Sequence, residues 1–311
     1  MREVAVVTTG FFDGVHIGHR HVLSTVVSAA RERGEEAIVV TFWPHPRTVL
    51  QQDAREFRLL TSLEEKKALL QEAGIDRVEV IPFTREFAAL TAEQYLALLR
   101  DCFDASLVVM GYDNRIGCDR LTAREILSRV STNSAVLVDV EAVSALSSTE
   151  MGQNVDAVAE TAVSSTRIRK ALGAGDVEAA SSMLGYPYGL YGVVVAGNRV
   201  GRTIGFPTAN MQLYEPLKLV PGNGVYAVGV EVLGKHYRGM CNIGTRPTVG
   251  GIQRTIETHI LDFDQDIYGL PLWLRFERRI RDERKFPSLE ALREQLMADA
   301  RICRGNSLHQ K

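Results

Sequence analysis

Residues 9–19 read Thr9-Gly10-Phe11-Phe12-Asp13-Gly14-Val15-His16-Ile17-Gly18-His19 and follow directly on the apolar run Val4-Ala5-Val6-Val7. An apolar run that ends in a Gly-rich turn and opens a helix is how an α/β protein builds a phosphate site. Backbone N–H groups at a helix start, with the positive end of the helix dipole, attract anionic oxygens. Gly14 and Gly18 allow close backbone approach to phosphates. His16 and His19, one helical turn apart, can bind the charge that grows on a bridging oxygen during attack at an α-phosphate. An isolated H-x-x-H is more often a turn with two exposed histidines, and it is the eleven-residue context that favours a nucleotide-handling site.

Outward from this turn, β-like runs alternate with amphipathic helical stretches. Residues 4–8, 37–42, 78–82, 107–110 and 135–140 read as strands, and 18–33, 63–73 and 92–103 as helices. Strand, helix, strand predicts a parallel sheet, doubly wound if the crossovers are right-handed, with ligands at the carboxyl ends of the strands. The character changes near residues 173–188. A short helix over 176–184 leads into Gly185-Tyr186-Pro187-Tyr188, and short β-rich runs punctuated by Gly and Pro follow at 191–196, 225–233, 236–243, 255–261 and 272–276. That pattern suggests an antiparallel barrel, closed by a helix that opens at Pro287-Ser288-Leu289-Glu290. The domains are therefore expected at 1–184 and 185–311.

The 311 residues suit two domains, and 45% apolar with 24% charged residues excludes a disordered chain. A net charge of −2 argues against a nucleic-acid binder, which needs a dense basic face. Cys102, Cys118, Cys241 and Cys303 show no C-x-x-C spacing, so a reduced compartment fits better than a zinc knot or disulfide framework. No stretch approaches the ~18 uninterrupted apolar residues of a membrane span, and a cytoplasmic protein is expected. The oligomeric state is not legible.

A second anion motif stands at Ser164-Ser165-Thr166-Arg167-Ile168-Arg169, where hydroxyls at a helix start and two arginines suit the β- and γ-phosphates of a leaving pyrophosphate. TGFFDGVHIGH, TFWPHP (41–46), GYDNRIG (111–117) and SSTRIR together resemble the adenylyltransferase module of the bacterial bifunctional riboflavin kinase/FMN adenylyltransferase family, or FAD synthetases. The resemblance implies a Rossmann-like nucleotidyltransferase domain that joins the AMP of ATP to FMN and releases pyrophosphate. It implies that His16 and His19 bind ATP phosphates and stabilise the transition state, that Ser165, Thr166 and Arg169 hold the triphosphate, and that His45 and Asp113 line the nucleotide cleft. One stretch departs. Asn114 and Ile116 stand where the family usually carries phenylalanines, and Cys118-Asp119-Arg120-Leu121-Thr122 replaces its glycine-containing loop, which is expected to weaken contact with the isoalloxazine ring or to reshape the loop.

In the second half, Gly201-Arg202-Thr203-Ile204-Gly205-Phe206-Pro207-Thr208-Ala209-Asn210 concentrates glycines that let backbone wrap a polyphosphate and an arginine that neutralises it. Thr208 and Asn210 offer neutral oxygens that magnesium accepts when phosphates supply the charge. Along the alternating strand 255–261, Glu257 and His259 fall on one face and Ile256, Thr258 and Ile260 on the other. A carboxylate on a cleft face can act as general base for a primary hydroxyl, although an exposed strand Glu is usually just solvated. GRTIGFPTAN, NIGTRPTVGG (242–251), IETHILDFDQDIYG (256–269) and RIRDERKFPSLEALREQL (279–296) resemble the riboflavin kinase module of the same family. That resemblance implies a six-stranded antiparallel barrel in which Gly201, Arg202, Gly205 and Thr208 bind ATP and Thr208 and Asn210 hold Mg²⁺. Glu257 would activate the ribityl hydroxyl, and Arg281 would lie near the flavin. The expected activity is phosphorylation of riboflavin to FMN and adenylylation of FMN to FAD, with no nucleic-acid or membrane partner. A monofunctional riboflavin kinase and a nonenzymatic flavin or nucleotide binder stand as alternatives.

Overall fold

In the computed structural model, residues 4–50, 57–111, 114–129, 137–139, 163–197, 200–248 and 251–305 are described. The chain divides into two compact units, Met1–Ser165 and Thr166–Lys311. The division falls earlier in the chain than the domain boundary expected after residue 184.

The first unit holds a five-stranded parallel sheet in the order β3-β2-β1-β4-β5. Its strands are β1 (Ala5–Thr9), β2 (Glu36–Trp43), β3 (Arg77–Pro82), β4 (Ala105–Val109) and β5 (Leu137–Asp139). All five residues of β1 are buried, which is why its sequence reads as a continuous apolar run rather than an alternation. The pleat splits that run between two cores. Val6 joins Leu23, Val26 and Ala30 of helix α1 (Ile17–Arg33) and Leu70 of α3 (Leu63–Glu72). Val7 joins Tyr95, Leu96 and Leu99 of α5 (Ala92–Phe103) and Ile126 of α6 (Ala123–Arg129). Helices thus cover both faces, and the expected doubly wound sheet is what forms. Strand order reverses between β1 and β4, so the turn that leaves β1 lies where such sheets bind ligands. Two single-turn helices, α2 (Pro46–Leu50) and α4 (Arg85–Ala88), lie in the connections.

The second unit begins with α7 (Ser165–Ala174) and α8 (Val177–Leu184), the latter capped by Asp176 and ended by Gly185 at φ 80°. A closed barrel follows in the order β10-β7-β6-β11-β8-β9, all pairs antiparallel. Its strands are β6 (Gly189–Val195), β7 (Ala209–Leu213), β8 (Gly224–Val232), β9 (Lys235–Thr248), β10 (Gly251–Ile260) and β11 (Pro271–Arg281). β7 is the strand that the apolar runs do not reveal, and it closes the barrel by pairing with both β6 and β10. A one-turn helix, α9 (Val200–Thr203), precedes it. The final helix α10 (Leu289–Arg304) packs Leu296, Ala300 and Cys303 against Ala227 and Met240 of the barrel wall. Leu296 is half-buried there and so contributes less than the roughly 1.5–3 kcal/mol of a fully buried leucine.

Candidate active sites

The turn after β1 is held from beneath. Asp13, 4% exposed, accepts hydrogen bonds from the backbone N–H groups of Leu60 (3.0 Å) and Thr61 (3.1 Å), and the Thr61 hydroxyl accepts one from Gly14 N–H (3.2 Å). Phe12, Gly14 and Val15 adopt φ of 47°, 86° and 36°, and such a run of left-handed residues persists only where surrounding bonds over-determine it. His16 is the N-cap of α1, and its Nδ1 accepts from His19 N–H at 3.3 Å. In the neutral ring the proton therefore sits on Nε2, free to donate. The two imidazoles stack with centroids 3.6 Å apart, and a Cβ at Gly18 would press on the His16 ring at 3.3 Å, which accounts for the glycine. Burial lowers the His16 pKa to about 4. Burial first, then His16 and Lys66, hold His19 well below its ordinary value. Both rings are consequently neutral at pH 7, so they offer N–H donors rather than positive charge. His19 Nδ1 is buried without a hydrogen-bond partner. The Ser165 hydroxyl donates to Asp13 O at 2.9 Å, which brings the start of the second anion motif to this turn. Thr166 is exposed and Arg169 half-buried on α7.

His45 follows the cis peptide bond Trp43-Pro44, and its ring packs between Phe11 (4.8 Å) and Phe57 (4.3 Å). Its Nδ1 accepts from Arg47 N–H at 3.2 Å. Asp113 lies outside the described residues. The departing stretch is a closed turn: Ile116 and Leu121 exchange two backbone hydrogen bonds at 3.0 Å. Cys118 N–H donates to Leu90 O at 2.8 Å, and Asp119 accepts from Ala92 N–H at 2.9 Å. Ile116 is 6% exposed within the core beside α5, whereas Asn114 is half-buried and donates to Thr9 O at 2.9 Å. Of the two replacements, only Asn114 is free of the core.

In the barrel, register does the positioning. Glu257 on β10 pairs with Asn210 on β7 and with Asn242 on β9, so three polar side chains stand abreast on one face. The expected alternation holds: Ile256, Thr258 and Ile260 are 5%, 0% and 4% exposed, while Glu257 and His259 are half-buried. A cavity of about 310 Å³ on the Glu257 side is lined by Gly201, Thr208, Asn242, Glu257, Arg281 and Arg284 among others. On the opposite face of β10 a second cavity, about 360 Å³, is lined by Arg202, Thr208, Thr258, Asp264 and Tyr268 among others. Thr208 lines both. Asn210 and Gly205 line neither. Asn210 shares the Glu257 face and lies against Gly197, where a Cβ would overlap its carboxamide, and Gly205 supplies a left-handed turn at φ 84°.

His259 Nδ1–H donates to Pro207 O at 2.8 Å, fixing the loop before Thr208 to β10. Arg281 is held by Asp299, which is fully buried and accepts from Nε (3.0 Å) and Nη2 (2.8 Å), and Gln295 donates to the same carboxylate at 2.7 Å. Both Arg281 and Arg284 face the ring of Phe286, at 5.6 and 4.9 Å. Among the described residues no three His, Cys, Asp or Glu side chains converge on a metal site. A cation here must be met by neutral oxygens, one carboxylate and ligand phosphates, a set that suits a hard divalent ion.

A family model described as FAD synthetase matches residues 1–155, and one described as riboflavin kinase matches residues 184–306. The bifunctional riboflavin kinase/FMN adenylyltransferase of Bacillus subtilis (strain 168) is 37% identical over 298 residues, covering 95% of this chain and 90% of that protein. The Escherichia coli (strain K12) protein of the same description is 38% identical over 300 residues, covering 96% and 91%. The chain belongs to this bifunctional riboflavin kinase/FMN adenylyltransferase family. Among solved structures, a Streptococcus pneumoniae protein described as a macrolide-efflux protein is similar along the whole chain, with TM-score 0.85, 33% identity and coverage of 99% and 96%. Among the described residues no helix is long and apolar enough to cross a membrane.

Four residues that shape these sites are not marked out by their local sequence: Asp13, Lys66, Asn242 and Asp299. Asp13 and Asn242 stand inside quoted motifs but act through partners elsewhere in the chain, and Lys66 and Asp299 sit on helices that read as merely amphipathic.

Proposed function

We propose that this chain makes FAD in two steps, phosphorylating riboflavin to FMN in the barrel and adenylylating FMN in the parallel-sheet unit, with ATP as co-substrate of both. The observation that carries the kinase reading is Thr208, which lines both cavities flanking β10, one holding Glu257 and the other Arg202. The nucleotide enters on the Arg202 side, with Arg202 and Thr208 at its phosphates, Gly205 supplying the turn that precedes Thr208 and Gly201 meeting the phosphates from the Glu257 side. Riboflavin enters on the Glu257 side, beside Arg281. Glu257 takes the proton of the terminal ribityl hydroxyl as its oxygen attacks the γ-phosphorus. Thr208 and Asn210 would hold Mg²⁺, and the ion would supply positive charge to the phosphates.

In the adenylyltransferase, His16 Nε2–H and His19 meet the α-phosphate, Gly14 and Gly18 admit the phosphates to the backbone, and Ser165, Thr166 and Arg169 hold the triphosphate. His45 and Asp113 bound the nucleotide cleft. The functional modules are proposed as residues 1–184 and 185–311, the family-model matches ending at 155 and resuming at 184. Cytoplasmic residence is proposed on the four free thiols, Cys102, Cys118, Cys241 and Cys303.

The test is incubation with riboflavin, ATP and Mg²⁺, the flavins then being resolved by chromatography. FMN followed by FAD is expected. FMN alone would reduce the chain to a riboflavin kinase, and no conversion would sink both activities.

A further inference from the structure

Lys66 on α3 is 3% exposed. Its ammonium carries three donors, and one of them reaches the Thr41 hydroxyl at 3.4 Å. Among the described residues it forms no ion pair. The carboxylate whose charge acts on it, Asp13, spends its oxygens on the backbone of Leu60 and Thr61. A cation kept out of water with a carboxylate's charge nearby but no ion-pair contact is only partly compensated, and an arriving anion would complete its pairing. Thr41 lies near the carboxyl end of β2, and Gly10 N–H, at the start of the His16 turn, donates to neighbouring Val40 O at 3.1 Å. The buried ammonium therefore sits under the crevice where His19 Nδ1 is also without a partner.

We propose that Lys66 is a further phosphate ligand of the adenylyl-transfer site, its ammonium contacting the triphosphate of ATP and supplying the positive charge that the neutral imidazoles do not. This rests on the reading of the His16 turn as that site. During transfer an FMN phosphate oxygen bonds to the α-phosphorus, the bond from that phosphorus to the bridging oxygen breaks, and pyrophosphate leaves with the electron pair. Lys66 stays protonated throughout and offsets the charge that accumulates on the leaving group. The charged and titratable groups that face it are Asp13 from the turn and His19 from α1, with His16 stacked on His19. Burial lowers its pKa to about 8. The ammonium is thus charged at pH 7 and loses its proton above pH 8, so affinity for ATP falls as pH rises through that value.

The test is steady-state FAD formation from added FMN and ATP by the full chain, comparing wild type with Lys66→Met and Lys66→Arg from pH 7 to pH 9.5. Lys66→Met keeps the chain length and removes the buried charge, so the fold is retained or gains stability. We expect its KM for ATP to rise at least about tenfold at pH 7, the alkaline fall to vanish, Lys66→Arg to recover part of the affinity at every pH, and FMN formation by the barrel to stay at the wild-type rate. An unchanged KM for ATP, or a lost melting transition with the alkaline limb intact, overturns the assignment. His16→Asn measured in parallel separates the two ideas: if both variants bind ATP normally the site reading fails, and if only Lys66→Met does, Lys66 alone is misassigned.

Discussion

The two sites of this chain solve the problem of holding charged substrates in opposite ways. In the parallel-sheet unit the two histidines stand three residues apart in a turn folded tightly after one strand, and burial keeps them uncharged: His16 falls to about 4 and His19 well below its ordinary value. In the barrel the working groups come from three strands and a loop, and register alone sets Glu257 between Asn210 and Asn242. A local site of this kind is moved by changing its own residues. A site assembled from distant strands is moved as readily by residues that never face the substrate, such as Asp299.

The sharpest way to break this comparison is to remove one working group from each unit. Glu257→Ala is expected to lower FMN formation by about 10³- to 10⁴-fold, the upper part of what a positioned general base supplies. FAD formation from added FMN should continue at the wild-type rate, and parallel loss of both activities would mean that the units do not work separately. His16→Ala is expected to cost about 10²- to 10³-fold in FAD formation, as loss of a transition-state donor does. FMN formation should be untouched, and an undiminished rate of FAD formation would remove the turn from the reaction.

What the sequence discloses follows the same division. β1, β2 and β4 are legible because a strand covered on both faces is mostly apolar along its length, and the turn is legible because its glycines, its cap and its donors are neighbours in the chain. β7 is not, since Asn210 and Gln212 interrupt Ala209, Met211 and Leu213 and the segment reads as the tail of a glycine-rich motif. Lys66 and Asp299 are invisible for a related reason: their partners Thr41 and Arg281 lie 25 and 18 residues away, and nothing local marks the contact. Ile116 shows the reverse case. In sequence it reads as a lost flavin contact, but its side chain is core, packed beside Tyr95 and Ile126.

Asp299→Ala tests whether the barrel site depends on a residue behind it. The substitution leaves Arg281, whose side chain is 17% exposed, without its carboxylate, and Gln295 without its acceptor. Breaking a buried pair of this kind costs about 3 kcal/mol of stability. We expect a lower denaturant midpoint for the barrel, a raised KM for riboflavin, and FAD formation from added FMN at the wild-type rate. A raised midpoint would show that burying the pair is a burden that the fold carries for the flavin site alone.

The smallest effect expected is a pH dependence of stability confined to the sheet unit. The native His16 pKa of about 4 lies below its ordinary 6.5, so the unfolded chain binds a proton that the native turn refuses. The stability due to the neutral ring is complete above pH 6.5 and is lost as the pH falls towards 4, at about 1.4 kcal/mol per unit. His19 adds in the same direction. Barrel histidine His259, also lowered by burial but half-exposed and bonded to Pro207 O, contributes less. Thermal melting of wild type and His16→Asn between pH 7.5 and pH 5 separates this from general acid loss: the wild-type Tm for the sheet unit should fall more steeply than the variant's. Parallel curves would mean that His16 titrates normally in the native turn and that burial does not hold its ring neutral.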